Sequence, residues 1–231
     1  RQLRFAERHA DVGKAVSHVV HEIRNPLMLI GGFARQLERC RGIQGDTKNL
    51  KKLRIIIEEI QRLEELLEGV LLLRKPASAA KKRLLDINEV INEVSRLLEP
   101  RLANRSAQLF VEPFPGSLET HADPDQIKQV LLNLLYNALD AMGESGTVGI
   151  KSLATGSKAR ILIQDSGPGI PEELRSRIFD PFFTTKAHGT GLGLAISRNI
   201  VQDHGGTIEV ECPAEGGTTF TIELPLASSM K

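Results

Sequence analysis

Apolar residues in the first 74 positions recur at alternating steps of three and four. Val16, Val19, Ile23, Pro26, Ile30, Phe33 and Leu37 make one stripe. Leu50, Leu53, Ile57, Ile60, Leu67 and Leu71 make a second, with Ile56, Leu63 and Val70 beside it. This spacing marks one face of a helix. Arg41, Gly42, Gly45 and Asp46 separate the stripes and signal a turn. Two amphipathic helices joined by a short loop form an antiparallel hairpin. A lone hairpin buries little, so the stripes need a further partner. That partner is either a second copy, completing a four-helix bundle about a two-fold axis, or the chain's own C-terminal part. The heptad-like regularity favours the second copy, hence a homodimer.

Residues 75–83, KPASAAKKR, lack apolar periodicity and read as a short basic linker. Beyond them the periods mix. Asp86 can cap a helix running to about Leu98, and Gln108 to Phe114 and Leu118 to Ala122 alternate as short strands. Pro124 suits the first turn of a helix that continues to about Met142. Gly146 to Leu153 and Lys158 to Asp165 form a predicted β-hairpin around Gly156-Ser157. A looser stretch covers 166–189. A helix from about Thr190 to Asp203 and strands at Thr207 to Glu211 and Thr218 to Leu224 complete an α/β sandwich. The expected fold class is α + α/β: a helical hairpin over 1–74, a linker over 75–83 and an α/β domain over 84–231.

Composition narrows the partners. Aromatics are 4% of the chain, with no Trp, which leaves little surface for stacking nucleic-acid bases. A net charge of +1 provides no broad field for nucleic acid or anionic lipid. Cys40 and Cys212 are far apart, so a disulfide framework is not expected and a reducing, cytoplasmic setting fits. No apolar run approaches the roughly 20 residues that span a bilayer, and no signal peptide is visible. The chain begins at Arg1. A longer protein with an upstream sensory or anchoring part is therefore expected, with this segment itself free of membrane contact.

His21 lies in SHVVHEIRNPL, roughly 160° around the helix from the centre of the apolar stripe. A core histidine would sit on the stripe. An outward histidine is by itself ordinary and solvated. Its neighbours change that. Pro26 inside a helical pattern removes a backbone hydrogen bond and bends the helix, a cost that tends to gather at functional sites. Glu22 can take the Nδ1 proton of His21, leaving Nε2 with a lone pair able to attack phosphorus. Asn25, one turn on, can orient a water.

The second half carries features suited to a nucleotide. In QVLLNLLYNALDA, Asn133 and Asn137 are four apart and share a helix face. Their amide oxygens can bind Mg2+ while the NH2 groups reach phosphate oxygens. In ILIQDSGPGI an alternating strand ends at Asp165, which can accept from an exocyclic amine such as adenine N6, and Gly167 and Gly169 let the backbone come close. FDPFFTTK suits a lid in which Phe182 or Phe183 covers the ligand while Thr185 and Lys186 approach phosphates. In GTGLGLAISRNIV, Gly189, Gly191 and Gly193 precede or open a helix whose N-terminal amides can bind phosphate. The spacing matches neither a dinucleotide fingerprint nor a P-loop. Alone, each of these patterns also fits an ordinary turn, cap or surface loop.

In this order the motifs resemble those of sensor histidine kinases. HEIRNPL is similar to the family's H-box, the four later segments to its N, G1, F and G2 boxes, and GGTTF at 216–220 to its closing G3 element. The resemblance covers most of residues 10–226. It implies a Bergerat-type α/β sandwich, shared with gyrase, mismatch-repair and heat-shock ATPases, and a dimeric phosphotransfer hairpin. It further implies ATP-dependent phosphorylation of His21 with Glu22 as acid/base, transfer to an aspartate of a response-regulator receiver domain, and support of regulator dephosphorylation by Asn25. ATP and Mg2+ contacts are implied at Asn133, Asn137, Asp165, Gly167, Gly169, Ile170, Phe182, Thr184, Thr185, Lys186, Gly189, Thr190, Gly191, Leu192, Gly193, Leu194 and Thr218, with the metal on Asn133 and Asn137. Water-activating relatives resemble E-x-x-x-N-A on the same helix. Here that glutamate is Asn133, which cannot take a proton from water, so slow hydrolysis and a kinase are expected. A hydrolysing ATPase or a non-enzymatic dimeric scaffold are the alternatives. The acidic Asp140, where many members carry Lys or Arg next to the phosphates, departs from the pattern; Lys186 is the candidate to supply that charge instead, which leaves the role of Asp140 open.

Overall fold

The computed structural model describes residues 23, 27–28, 30–37, 47–72, 82–102, 105–186, 189–213 and 215–227. His21, Glu22, Asn25, Pro26, Cys40, the turn at 41–46 and most of the 75–83 segment lie outside the described residues. The chain divides into two compact units. One comprises residues 1–75 with 184–192, the other 76–183 with 193–231.

In the first unit, helix α1 covers residues 30–37 and helix α2 spans Thr47–Leu72. They meet through small residues. Gly31 and Ala34 are buried, and a Cβ on Gly31 would lie 3.2 Å from Ile60 Cγ2. On α2 the described part of the forecast stripe, Leu50 to Ile60, is the more buried face, with Ile57 and Ile60 inside. On α1 it is not. Ile30, Phe33 and Leu37 are 51%, 63% and 47% exposed. Close approach at Gly31 and Ala34 turns these larger side chains away from α2, so the hairpin by itself leaves an apolar face uncovered.

The second unit starts with strand β1 (Arg83–Asp86) and helix α3 (Ile87–Leu102), then β2 (Ser106–Glu112), β3 (Glu119–Ala122), α4 (Pro124–Met142), β4 (Ser145–Thr155) and β5 (Lys158–Asp165). A short α5 (Glu172–Arg175), α6 (Gly193–Asp203), β6 (Thr207–Glu211) and β7 (Thr218–Pro225) follow. β1 pairs antiparallel with β3, and a five-stranded sheet runs β2-β4-β5-β7-β6 with β2 and β4 parallel and the remaining neighbours antiparallel. Alternation along the strands sorts the two faces. Val111, Ile150, Ile163, Phe220 and Val210 lie in one row across the sheet. That face packs under α3, α4 and α6. The opposite face carries ion pairs, Lys151 with Glu112 at 2.8 Å and Lys158 and Arg160 with Glu223.

Several boundaries differ from the sequence expectation. β1 begins at Arg83, the last residue of the expected linker, because Arg83 to Asp86 find a partner in β3. Asp86 does cap α3, accepting from the Asn88 N–H at 2.9 Å, and it also accepts from the Leu118 N–H. α6 begins at Gly193 rather than Thr190. The Thr190 hydroxyl accepts from the Leu192 N–H, and Gly191 has φ +67°, so the chain turns before it can wind.

α4 carries both candidate amides, Asn133 and Asn137. The Asp123 side chain caps it by accepting from the Asp125 and Gln126 N–H groups, and Pro124 stands first, where a missing N–H costs nothing. Ile127, Leu131, Leu134, Leu135 and Ala138 anchor its inner face. Buried His204, just past α6, ties the two helices. Its Nε2 accepts from the Asp123 N–H at 3.0 Å, and its Nδ1 lies 2.7 Å from the Ile200 carbonyl oxygen. This pattern requires the neutral ring with the proton on Nδ1. Burial pushes its pKa down from the ordinary 6.5, against a raising effect of the Ile200 carbonyl. Between the lowered folded value and 6.5 the unfolded chain holds more protons, so the His204 contribution is complete above about pH 6.5 and is lost as pH falls toward the folded pKa. Thermal melts from pH 7.5 to 5.5 should show Tm falling with pH. His204→Gln should lower Tm at pH 7.5, through about 1–3 kcal/mol for a buried N–H left unpaired, and should flatten that slope. An unchanged slope in the variant would contradict this role.

Candidate functional site

The site is clearest within the second unit, where α4, α6 and the ends of β5 and β7 converge. Asn133 and Asn137 lie half-buried on one α4 face. The Asn133 NH2 donates to Ser197 Oγ on α6 at 2.9 Å. Gly193, the first residue of α6, abuts the same amide, and a Cβ there would collide with Asn133 Oδ1. Two turns further along α4, Ala141 lies against the turn after β5, with its Cβ 3.3 Å from where a Gly167 Cβ would be. Asn137 falls between these points, so the α4 stripe runs from the mouth of α6 to the end of β5.

At that end stands Asp165, 5% exposed. It pairs in register with Thr218, which is equally buried. The Gly167 N–H donates to Asp165 Oδ1 at 2.8 Å, and the Thr218 backbone and hydroxyl also donate to the carboxylate. Burial pushes the Asp165 carboxyl above its usual range, and these three donors pull it partly back. Gly217 closes the arrangement. Its N–H donates to the Gly167 carbonyl at 2.8 Å, its φ is +85°, and a Cβ would strike the Asp165 carbonyl oxygen. Only glycine fits there. Ile170 is tied through its backbone, its N–H to Cys212 Sγ and its carbonyl to Arg175 Nε. Its half-buried side chain remains as apolar wall.

The two lid phenylalanines part company. Phe183 lies beneath the Arg177 guanidinium, 4.5 Å from the ring centre, whereas Phe182 is 60% exposed in a left-handed conformation at φ +67°. Phe182 is thus the ring not already engaged by Arg177. Thr184, Thr185, Lys186, Gly189, Thr190, Gly191 and Leu192 fall in the first unit, and the other described candidate residues fall in the second. Within that segment the Thr184 hydroxyl accepts from the Lys186 N–H at 3.1 Å, and Leu192 is buried. Leu194 is half-buried in the first turn of α6.

Chemically, the second unit offers a buried acceptor at one end and, at the other, an amide pair beside a helix N-terminus. This suits a purine amine and a polyphosphate. Among the described residues no group of three or more His, Cys, Asp or Glu is placed to hold a metal. A divalent ion here would take amide oxygens and borrow the rest from phosphate and water, the habit of Mg2+.

Residues 122–228 match the histidine kinase-, DNA gyrase B- and HSP90-like ATPase family, and residues 11–79 match the His Kinase A (phospho-acceptor) domain family. The catalytic domain of histidine kinase ThkA is 42% identical with a TM-score of 0.59, covering 63% of this chain and 95% of that one. The chain belongs to the sensor histidine kinase family. Sensor histidine kinase ZraS of Escherichia coli (strain K12) is 37% identical over 230 residues, covering 100% of this chain and 49% of ZraS. The chain therefore spans about half the length of the curated relatives it matches. Full-length ShkA, solved in complex with AMPPNP, is 28% identical with a TM-score of 0.77 over 93% of this chain and 46% of that one. ThkA in complex with response regulator protein TrrA is 35% identical with a TM-score of 0.69, over 98% of this chain and 65% of that one.

Ser197 and His204 were not singled out by motif. Ser197 had a usable signal: it sits four residues after Gly193, on the same face of its helix. The Gly193 contact yields a direct test. Gly193→Ala should push the Asn133 amide aside, at a cost of about 1–3 kcal/mol in overpacking. Nucleotide affinity by calorimetry should fall at least ~10-fold. Unchanged affinity would mean that this contact lies away from the nucleotide.

Proposed function

We propose that this kinase core phosphorylates its own His21 from ATP and passes the phosphoryl group to an aspartate of a response-regulator receiver domain. One observation carries the proposal: a phospho-acceptor domain match spanning His21 shares the chain with an ATPase-type fold that has Asn133 where hydrolytic relatives keep a base. Asp165 accepts from the adenine amine, with Gly167, Gly169, Ile170 and Thr218 around the ring. Asn133 and Asn137 face the phosphates, with Gly193 and Leu194 at the opening of α6. Thr184, Thr185, Lys186 and residues 189–192 complete the phosphate side, and Phe182 covers the nucleotide. When Mg2+ is bound on Asn133 and Asn137, it neutralises phosphate charge.

His21 Nε2 forms the new N–P bond as the bond from the γ-phosphorus to ADP breaks. The Nδ1 proton passes to Glu22. Catalysis rests on positioning and charge neutralisation, as phosphoryl transfer requires. Asn25 orients the water that dephosphorylates the regulator. The exposed α1 face, with Ile30, Phe33 and Leu37, pairs with the same face of a second copy. The AMPPNP complex of ShkA and the regulator complex of ThkA support the nucleotide and the partner class.

The test is incubation with γ-labelled ATP and Mg2+. Label should appear on the chain, labile to acid and stable to alkali, and should move to a receiver domain added later. It should vanish in His21→Gln and Asn137→Ala and persist in Asn25→Ala. Label retained by His21→Gln, or steady ATP hydrolysis without label, would overturn the proposal.

A further inference from the structure

We propose that Ser197 is a positioning residue for the metal end of the nucleotide site, fixing which end of the Asn133 amide faces the bound metal and phosphates. The inference rests on the nucleotide assignment above. An asparagine amide has two ends of nearly equal size and opposite polarity, and a half-turn about its last torsion exchanges them. A divalent cation needs the oxygen end. Nothing in the shape of an open site enforces that choice, so a hydrogen bond must.

Ser197 supplies it. The serine is 1% exposed and sits one turn into α6 from Gly193. Its Oγ accepts from Asn133 Nδ2 at 2.9 Å, which holds the NH2 end against the body of the helix. The oxygen end is then the part of the amide nearest Gly193, at the mouth of α6. Inside a helix, the proton of a buried serine has the carbonyl one turn back as an outlet. The hydroxyl lone pairs are then left for Asn133. Burial keeps water from replacing Ser197 as acceptor, so the amide has one preferred sense rather than two. The same contact joins α4 to α6 near the site, as His204 joins them at the far end of α6.

The experiment follows binding of trinitrophenyl-ATP by fluorescence during Mg2+ titration, with EDTA as the metal-free reference. Ser197→Ala is compared with the parent chain, and again in an Asn133→Asp background. A carboxylate presents oxygen whichever way it turns, so it needs no orienting partner. In the parent background, Ser197→Ala should raise the half-saturating Mg2+ about fivefold, the loss of one ordinary hydrogen bond, with affinity in EDTA unchanged. In the Asn133→Asp background the same change should leave the Mg2+ requirement where it was. An unmoved Mg2+ requirement in Ser197→Ala overturns the inference alone, as does an equal shift in both backgrounds or a loss of binding in EDTA. A parent chain that does not bind the probe overturns the nucleotide assignment together with the inference.

Discussion

The α/β unit is organised around one buried carboxylate. Asp165 continues the inward line of Ile161 and Ile163 along β5, on the sheet face that packs under helices, where an ionised group is costly unless hydrogen bonds replace its water. Each requirement for holding it there constrains another part of the fold. β5 must meet β7 in the register that places Thr218 opposite Asp165. The turn after β5 must aim the Gly167 N–H back at the carboxylate, and the chain before β7 must pass so close that only Gly217 fits. α4 must approach this turn through Ala141, since a larger side chain would hold it off. The donors that stabilise the charge occupy part of its hydrogen-bonding capacity, and what remains is the acceptor assigned here to adenine.

The middle of α4 serves a different need. There the chain brings neutral amides to a helix mouth rather than a base. Asn133 cannot accept a proton from water, so a nucleotide held in this way keeps its γ-phosphate until a better nucleophile arrives. The pinning of α4 to α6, through Ser197 at the site and His204 at the far end, keeps the two helices as one platform. In the proposed reading, the α/β unit holds the phosphoryl donor and His21 is its acceptor.

Local signals made much of the α/β unit readable. Pro124 after Asp123 set the start of α4 correctly, because the cap and the fixed proline φ act within three residues. The turn at Gly156-Ser157 lay where alternation broke. Strand β1 was missed because Arg83 to Asp86 is too short for a period and forms only by pairing with distant β3. The α1 stripe was legible as an apolar face in need of a partner, but spacing could not tell that Gly31 and Ala34, rather than Ile30, Phe33 and Leu37, would turn toward α2. In the site, Asp165, Asn133 and Gly193 were legible as motif residues. The roles of Ser197 and His204 were not, even though Ser197 shares a helix face with Gly193, because each acts through a contact between elements far apart in sequence, 64 and 81 residues respectively.

Adenine recognition by Asp165 is the claim on which the nucleotide assignment stands, and it can be tested with one pair of ligands. ATP and inosine triphosphate differ where the purine amine is replaced by a carbonyl oxygen, which would face the carboxylate with lone pairs on both sides. Calorimetric titration of the chain with each, in Mg2+ at pH 7.5, should show ATP binding at least ~100-fold more tightly, as for a site built to accept from its ligand. Equal affinity for the two nucleotides would contradict the assignment of Asp165.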